Sequence, residues 1–246
     1  MIKEKFIKIL KEESLKNNIE LNQAQLEDLY NYKNMLIEWN LKMNLTAITD
    51  DYEIIIKHFI DCLQCTKYIN KNEQNDTKII DVGTGAGFPG IVVAIFFKNK
   101  VNITLLDSLN KRLIFLNEVK EKLNLKNVEI LHKRAEECAH DINYREKYDY
   151  VLSRAVASLN ILLEYTIPYL KLNGYALYLK GDNINQEINE SKKALKILNS
   201  EITDNYNYIL INKEKQFNRN ILKVKKLQET IKKYPRIYGK IKKSPL

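Results

Sequence analysis

The chain has 246 residues, 45% of them hydrophobic and 29% charged, which is enough apolar material for one substantial core and too much for wholesale disorder. No apolar run approaches the roughly 20 residues that cross a bilayer. The amino terminus, MIKEKFIKIL, is amphipathic, contains acid and lacks a signal-peptide cleavage site, so a cytoplasmic protein without membrane contact is expected.

The net charge of +9 sits at one end. Residues 213–246 hold 12 Lys or Arg against 2 Glu, a balance of +10, which leaves 28 basic against 29 acidic residues, or −1, before them. A clustered positive segment suits nucleic acid or another polyanion, although a solvated lysine-rich face has the same composition.

Residues 1–72 read as a helical amino-terminal subdomain. Leu21, Leu26, Leu29, Tyr30, Leu36 and Ile37 recur at helical spacing, and Trp39 reads as core. Asn44 and Thr46 look like loop residues, and Thr49 or Asp50 can cap a helix over residues 51–69. His58, Cys62 and Cys65 stand at i, i+4 and i+7, a spacing that aligns three metal ligands on one helical face. No fourth partner is evident, so these cysteines, with Cys138, are read as reduced thiols and no metal is expected.

The polar stretch 70–77 is the expected boundary to an α/β domain over residues 73–230, followed by a basic tail, residues 231–246, packed on or beside it. Short apolar strands are predicted at residues 78–82, 102–107, 128–132, 148–153, 174–180, 201–210 and 220–226. Helices are predicted at 90–98, 109–123, 158–170 and 184–198. Strands and helices alternating in this way build right-handed crossovers and a mostly parallel, doubly covered sheet. The last two strands have no helix between them and read as an antiparallel edge.

Ligands of such sheets bind beyond the carboxyl ends of the strands, so the residues just after each apolar run carry the information. After the first strand come Gly83, Gly85, Gly87 and Gly90, four of the seven glycines in the chain. Their main chain can approach a ligand closely, and the helix that follows offers free N–H groups to a negative charge. After the second strand comes Asp107, which can accept hydrogen bonds from ribose hydroxyls or cap the next helix; its place in the sheet favours the nucleoside.

Gly85, Gly87 and Gly90 formally satisfy GxGxxG, the loop of nicotinamide dehydrogenases. With Asp81 inside the strand, however, the pattern is DxGxGxG, which resembles the first motif of class I S-adenosyl-L-methionine-dependent methyltransferases. That resemblance implies a Rossmann-like fold, with Asp81, Gly83, Gly85 and Gly87 around the methionine end of the cofactor. Arg134, Ala135 and Glu136 then occupy the place where this class recognises adenine. Ser153, Arg154 and Ala155 fall beside the reacting methyl group.

Absences narrow the acceptor. Enzymes acting on exocyclic amines resemble one another in an Asn/Asp-Pro-Pro-aromatic motif after the fourth strand, where this chain has SRAVAS. Carbon methylation needs a cysteine nucleophile, and no cysteine lies after that strand. The Lys-Asp-Lys-Glu arrangement of ribose methylation lacks its Asp there. Guanine N7 has an in-plane lone pair and needs alignment alone, with no general base.

The segments NLTAITD, HFIDCL, IIDVGTGAGFPGIVVAI, LLDSLNKRLIFL, SRAVASLN, LKG and YPRIYGKIKKSPL resemble, in that order, the RsmG (GidB) family of small-subunit ribosomal RNA methyltransferases. The resemblance implies methyl transfer from S-adenosyl-L-methionine to N7 of a guanosine in 16S ribosomal RNA. It implies cofactor binding by Gly83, Phe88, Ala135, Glu136 and Arg154, the last also at the reaction site; Asp107 is added from the sheet argument. The partner is then 16S ribosomal RNA or the small-subunit particle, with Lys180, Arg236, Lys240 and Lys242 as phosphate contacts. A monomer is expected. A nicotinamide oxidoreductase and a non-catalytic RNA-binding assembly factor remain the alternatives.

Overall fold

The computed structural model describes residues 1–70, 76–98 and 100–246. The boundary expected at residues 72 and 73 lies outside the described residues.

Helix α1 spans Lys3–Lys16 and α2 spans Gln23–Asn40. A capping box starts α2: the Asn22 side chain accepts from the Gln25 N–H, and the Gln25 side chain accepts from the Asn22 N–H. These pairs satisfy donors that a helix start otherwise leaves bare. Asp50 caps α3, Asp51–Glu53, by accepting from the Glu53 N–H at 3.0 Å.

The single helix expected at 51–69 changes its winding. A π-helical stretch, Ile54–Ile60, follows α3, then α4, Asp61–Leu63, and a 3₁₀ turn, Gln64–Tyr68. Winding by five residues per hydrogen bond rotates side chains away from their α-helical positions, an irregularity common at functional sites.

Among the described residues, seven strands form one sheet: β1 Lys78–Val82, β2 Asn102–Asp107, β3 Val128–His132, β4 Tyr148–Arg154, β5 Leu170–Lys180, β6 Ser200–Asn212 and β7 Lys215–Lys226. Their order is β3-β2-β1-β4-β5-β7-β6, with β1 to β5 parallel and β7 antiparallel to both β5 and β6. The expected mostly parallel, seven-stranded α/β sheet with an antiparallel edge is the observed architecture. Its order reverses between β1 and β4, which opens a crevice at their carboxyl ends.

Helices α5, Gly90–Phe97, and α6, Asn110–Lys122, join α1, α2 and the π-helical stretch in one apolar cluster on one face of the sheet. The other face carries α7, Ala135–Cys138, α8, Leu159–Thr166, α9, Ile184–Glu190, and α10, Lys192–Ile197. The predicted helix over 184–198 is split at Ser191, which is fully buried and donates its hydroxyl to the Glu187 carbonyl at 2.6 Å. The edge strands are longer than predicted because their half-exposed positions alternate polar with aromatic residues and carry little apolar signal. The tail ends in α11, Tyr238–Lys243, and contributes Tyr234 and Leu246 to the second cluster.

Among the described residues, no helix is long and apolar enough to cross a membrane, and no cluster of three or more His, Cys, Asp and Glu is placed to hold a metal ion. Cys62, Cys65 and Cys138 are free and buried.

Candidate active site

The glycine loop leaves β1 and crosses to β2, where the N–H groups of Gly83 and Thr84 both donate to the Leu106 carbonyl. Asp81 braces this loop from within. It is fully buried; one carboxylate oxygen accepts from the Thr84 hydroxyl at 2.7 Å and the Gly90 N–H at 2.8 Å, while the other has no partner among the described residues. Burial pushes its carboxyl up to about 7. Gly90 leaves room for this brace, since a Cβ there would stand 2.8 Å from the Asp81 carboxylate. Gly87 leaves room for Tyr32, whose hydroxyl would lie 2.8 Å from a Cβ and which donates to the Ala86 carbonyl. Asp81 and Phe88, expected as cofactor contacts, are buried, and Gly87, expected with them, packs against Tyr32, Ile91 and Leu116.

A cleft of about 280 Å³ opens beyond the ends of β1, β2 and β3. Its wall contains four of the expected residues, Gly83, Asp107, Ala135 and Glu136. Gly83 has φ +72, and a Cβ there would come 2.6 Å from a methyl of Val156 across the cleft, so only glycine keeps this side open. Asp107, 4% exposed, accepts from the Gly85 and Leu109 N–H groups, both at 2.9 Å, and from Arg112 Nη1 at 3.3 Å. It thus caps the turn into α6 and faces the cleft as well, which unites the two roles open to it in the sequence. A carboxylate has about four acceptor sites, so roughly one remains for a hydroxyl donor. The Glu136 carboxylate lines the cleft with Arg134 as an ion-pair partner at 4.0 Å. An open glycine wall, a spare carboxylate acceptor and a second carboxylate suit the hydroxyls and amine of a nucleoside.

A second cleft, of about 440 Å³, opens on the other side of the end of β4. Ala155 lines both clefts and has φ +56, a left-handed conformation that costs a non-glycine residue about 1 kcal/mol. Arg154, expected as a cofactor contact, lies in the second cleft and not the first. Its Nη1 donates to the Lys57 carbonyl at 2.9 Å and to Asp61 at 3.1 Å, and its Nη2 donates to His58 Nδ1 at 3.0 Å. Its guanidinium lies 5.0 Å from the Phe88 ring centre, and Phe88 in turn stacks on His58 at 4.3 Å.

This network explains why the NLTAITD, HFIDCL and SRAVASLN segments belong together. Arginine only donates, so His58 Nδ1 accepts, and Nε2 carries the proton of the neutral ring and donates to the Thr46 hydroxyl at 2.9 Å. Thr46 also accepts from the Ile48 N–H and so fixes the loop before α3. The π-helical winding brings the Lys57 carbonyl, His58 and Asp61 to one guanidinium. Spacing alone suggested His58 as a metal-ligand position, whereas its partner is Arg154.

Burial, reinforced by Arg154, pushes His58 down from its ordinary 6.5 to about 3. Between those pH values the unfolded chain takes up a proton that the folded chain refuses, so stability contributed here is lost as pH falls below 6.5 and levels off near 3. Urea unfolding at about pH 7.5 and about pH 5 is expected to show a larger loss for the wild type than for His58→Gln. Equal losses in the two proteins would count against the neutral ring.

The expected RNA contacts divide. Lys240 and Lys242 lie on the solvent-exposed side of α11. Lys180 lines the second cleft and is engaged, donating to the Ala157 carbonyl at 2.8 Å and to Glu187 at 2.7 Å. Arg236 is spent on the fully buried Glu164, to which its N–H, Nε and Nη2 all donate at 2.7 to 2.8 Å. It anchors the tail and is not free to meet phosphate. Asp61, Glu187, Arg219 and Tyr238 also line the two clefts and had not been singled out. The HFIDCL and YPRIYGKIKKSPL segments contained the signal for Asp61 and Tyr238.

A family model described as rRNA small subunit methyltransferase G matches residues 25–230. Proteins named ribosomal RNA small subunit methyltransferase G are 45% identical in Alkaliphilus oremlandii, covering 97% of this chain and 98% of that one, and 47% identical in Acetivibrio thermocellus, covering 98% and 97%. A crystal structure of a SAM-dependent methyltransferase from Aquifex aeolicus shares the fold, with a TM-score of 0.52 and 17% identity over 76% of this chain and 97% of that one. Membership sets aside the nicotinamide and non-catalytic alternatives. The glycine wall and two carboxylates of the first cleft thus belong to an S-adenosyl-L-methionine-dependent ribosomal RNA methyltransferase of the rRNA small subunit methyltransferase G family.

Proposed function

We propose that the chain transfers a methyl group to N7 of a guanosine in 16S ribosomal RNA within the small-subunit particle. The carrying observation is the state of the second cleft, which receives the target base where it meets the first at Ala155. Every titratable side chain in its wall is already paired. Lys57 pairs with Glu53, Arg154 with His58 and Asp61, Arg219 with Asp61, and Lys180 with Glu187. Among the described residues of that wall, the candidate bases are His58, whose lone pair Arg154 engages, and the carboxylates of Asp61, which accepts from Arg154 and Tyr208, and Glu187, which accepts from Lys180 and the Leu159 N–H. Guanine N7 needs no proton removed, so such a site serves it, whereas an amine or hydroxyl acceptor gains nothing from these walls.

S-adenosyl-L-methionine supplies an activated methyl on a sulfonium. The residues of the chain do the aligning. Gly83 and Gly85 admit the methionine end, Asp107 takes the ribose hydroxyls, and Ala135 and Glu136 hold the adenine. Arg154 fixes the floor of the acceptor cleft and has N–H donors beyond the three contacts described. Lys180 faces the target nucleotide, and Lys240 and Lys242 meet RNA phosphates; the enzyme works as a cytoplasmic monomer. Small subunits reconstituted with 16S RNA carrying 7-deazaguanosine, which lacks N7, are expected to accept no methyl. Undiminished transfer to them would sink the N7 reading.

A further inference from the structure

The basic tail is also part of the cofactor cleft. Tyr238, the first residue of α11, lines that cleft together with Arg134 and Tyr165. Tyr238 is 43% exposed, so an aromatic side chain stands open at the cleft. The Arg134 guanidinium lies 5.5 Å and the Lys242 ammonium 5.7 Å from the centre of its ring.

The backbone carrying this ring is firmly held. Arg236 is clamped to Glu164; Arg145 donates to the Tyr234 carbonyl at 2.9 Å and the Thr230 carbonyl at 2.7 Å; Ile241 is fully buried. An anchored segment thus presents an open aromatic face to the cleft beside Arg134 and Glu136. On the same six-residue helix stand Lys240, Lys242 and Lys243.

We propose that Tyr238 forms the outer wall of the donor cleft and stacks on the adenine of bound cofactor, and that an RNA phosphate drawn to Lys242, whose ammonium lies over the same ring, fixes that ring in its stacking orientation, so that RNA and cofactor bind cooperatively. This rests on the placement of adenine and RNA given above. Stacking of a base on an aromatic side chain is sequence-tolerant and strong, and an arginine beside the ring adds to it. Binding linkage is reciprocal: if RNA tightens the cofactor, the cofactor tightens RNA by the same factor.

Equilibrium dialysis with labelled S-adenosyl-L-homocysteine, which has no methyl to transfer, tests this with and without unmodified small ribosomal subunits. Tyr238→Ala is expected to weaken binding about tenfold, while Tyr238→Phe stays near wild type. Subunits are expected to tighten wild-type binding about fivefold and Tyr238→Ala not at all. An unchanged dissociation constant in Tyr238→Ala, or a wild-type constant indifferent to subunits that the protein demonstrably binds, overturns the proposal and leaves the methyltransferase reading intact. Failure of the wild type to bind subunits at all faults the acceptor reading itself, and this inference with it.

Discussion

Arg154→Ala is expected to lower the stability of the fold by about 3 kcal/mol and to reduce methyl transfer far more than cofactor affinity. The guanidinium satisfies three acceptors that come from one irregular helix and lie 93 to 97 residues away in the chain. Without it, Asp61, 3% exposed, keeps the Tyr208 hydroxyl at 2.7 Å, but its nearest remaining cation is Arg219 at 3.7 Å. An ionised carboxylate left in that position bears most of its desolvation cost unrelieved. The loss should reach the reaction because the π-helical stretch lines the second cleft, proposed above to take the acceptor, and a misplacement of about 1 Å can cost about a hundredfold in rate. Arg154→Lys retains the charge but not the fork that serves acceptors in different directions, so it should rescue stability only in part. Denaturant unfolding combined with methyl-transfer kinetics measures both effects. A variant with wild-type stability and full activity would remove Arg154 from the centre of the site.

Asp107→Ala is expected to weaken S-adenosyl-L-homocysteine binding by more than tenfold, since unpaired ribose hydroxyls in a closed site cost about 1 to 3 kcal/mol. The structure adds a second source of loss. Asp107 also orients the Gly85 and Leu109 N–H groups, so its removal loosens the glycine loop and the start of α6 together. Asp107→Asn separates the contributions. The amide keeps an acceptor for one N–H but turns an NH₂ group toward the other donors, so binding should fall while the melting temperature falls less than in the alanine variant. Titration calorimetry and thermal unfolding on the same preparations report the two quantities. An affinity unchanged in both variants contradicts the ribose role.

Much of the fold was legible because the central strands are short apolar runs between polar turns, buried almost throughout in β1 and β2. Residues 78–82, 102–107 and 128–132 are strands at those bounds, and the missing helix before the last strand announced the antiparallel edge. The π-helical stretch was not legible, since α and π winding differ by one residue per turn and HFI reads as apolar helix in either. Charge counting misled in a specific way. Lys226 is fully buried against Glu146, 80 residues away, and Arg236 is bound to Glu164, 72 residues away, so neither belongs to a basic surface.

The site was legible by strand end, and less so by orientation. Asp107 ends β2, and Ala135 and Glu136 open α7 just beyond β3; all three line the first cleft, at the sheet edge where ligands of such folds bind. Arg154 ends β4, yet it turns toward the amino-terminal helices, because its partners come from a segment whose path the local pattern does not determine. Glu187 reaches the second cleft through tertiary packing alone, whereas Tyr238 lies in a tail segment that stood out in the sequence, although its place in the first cleft did not. Asp81 shows the converse: its position in the motif was clear, and its burial beneath the loop, with one oxygen lacking a partner among the described residues, was visible only in three dimensions.

The most direct test of the two-cleft arrangement is the identity of the methylated nucleoside. Small ribosomal subunits lacking the modification are incubated with the protein and methyl-labelled S-adenosyl-L-methionine, and the 16S RNA is digested to nucleosides. The account predicts label in N7-methylguanosine alone. Label in a ribose-methylated nucleoside, on an exocyclic amine or on a base carbon would contradict it.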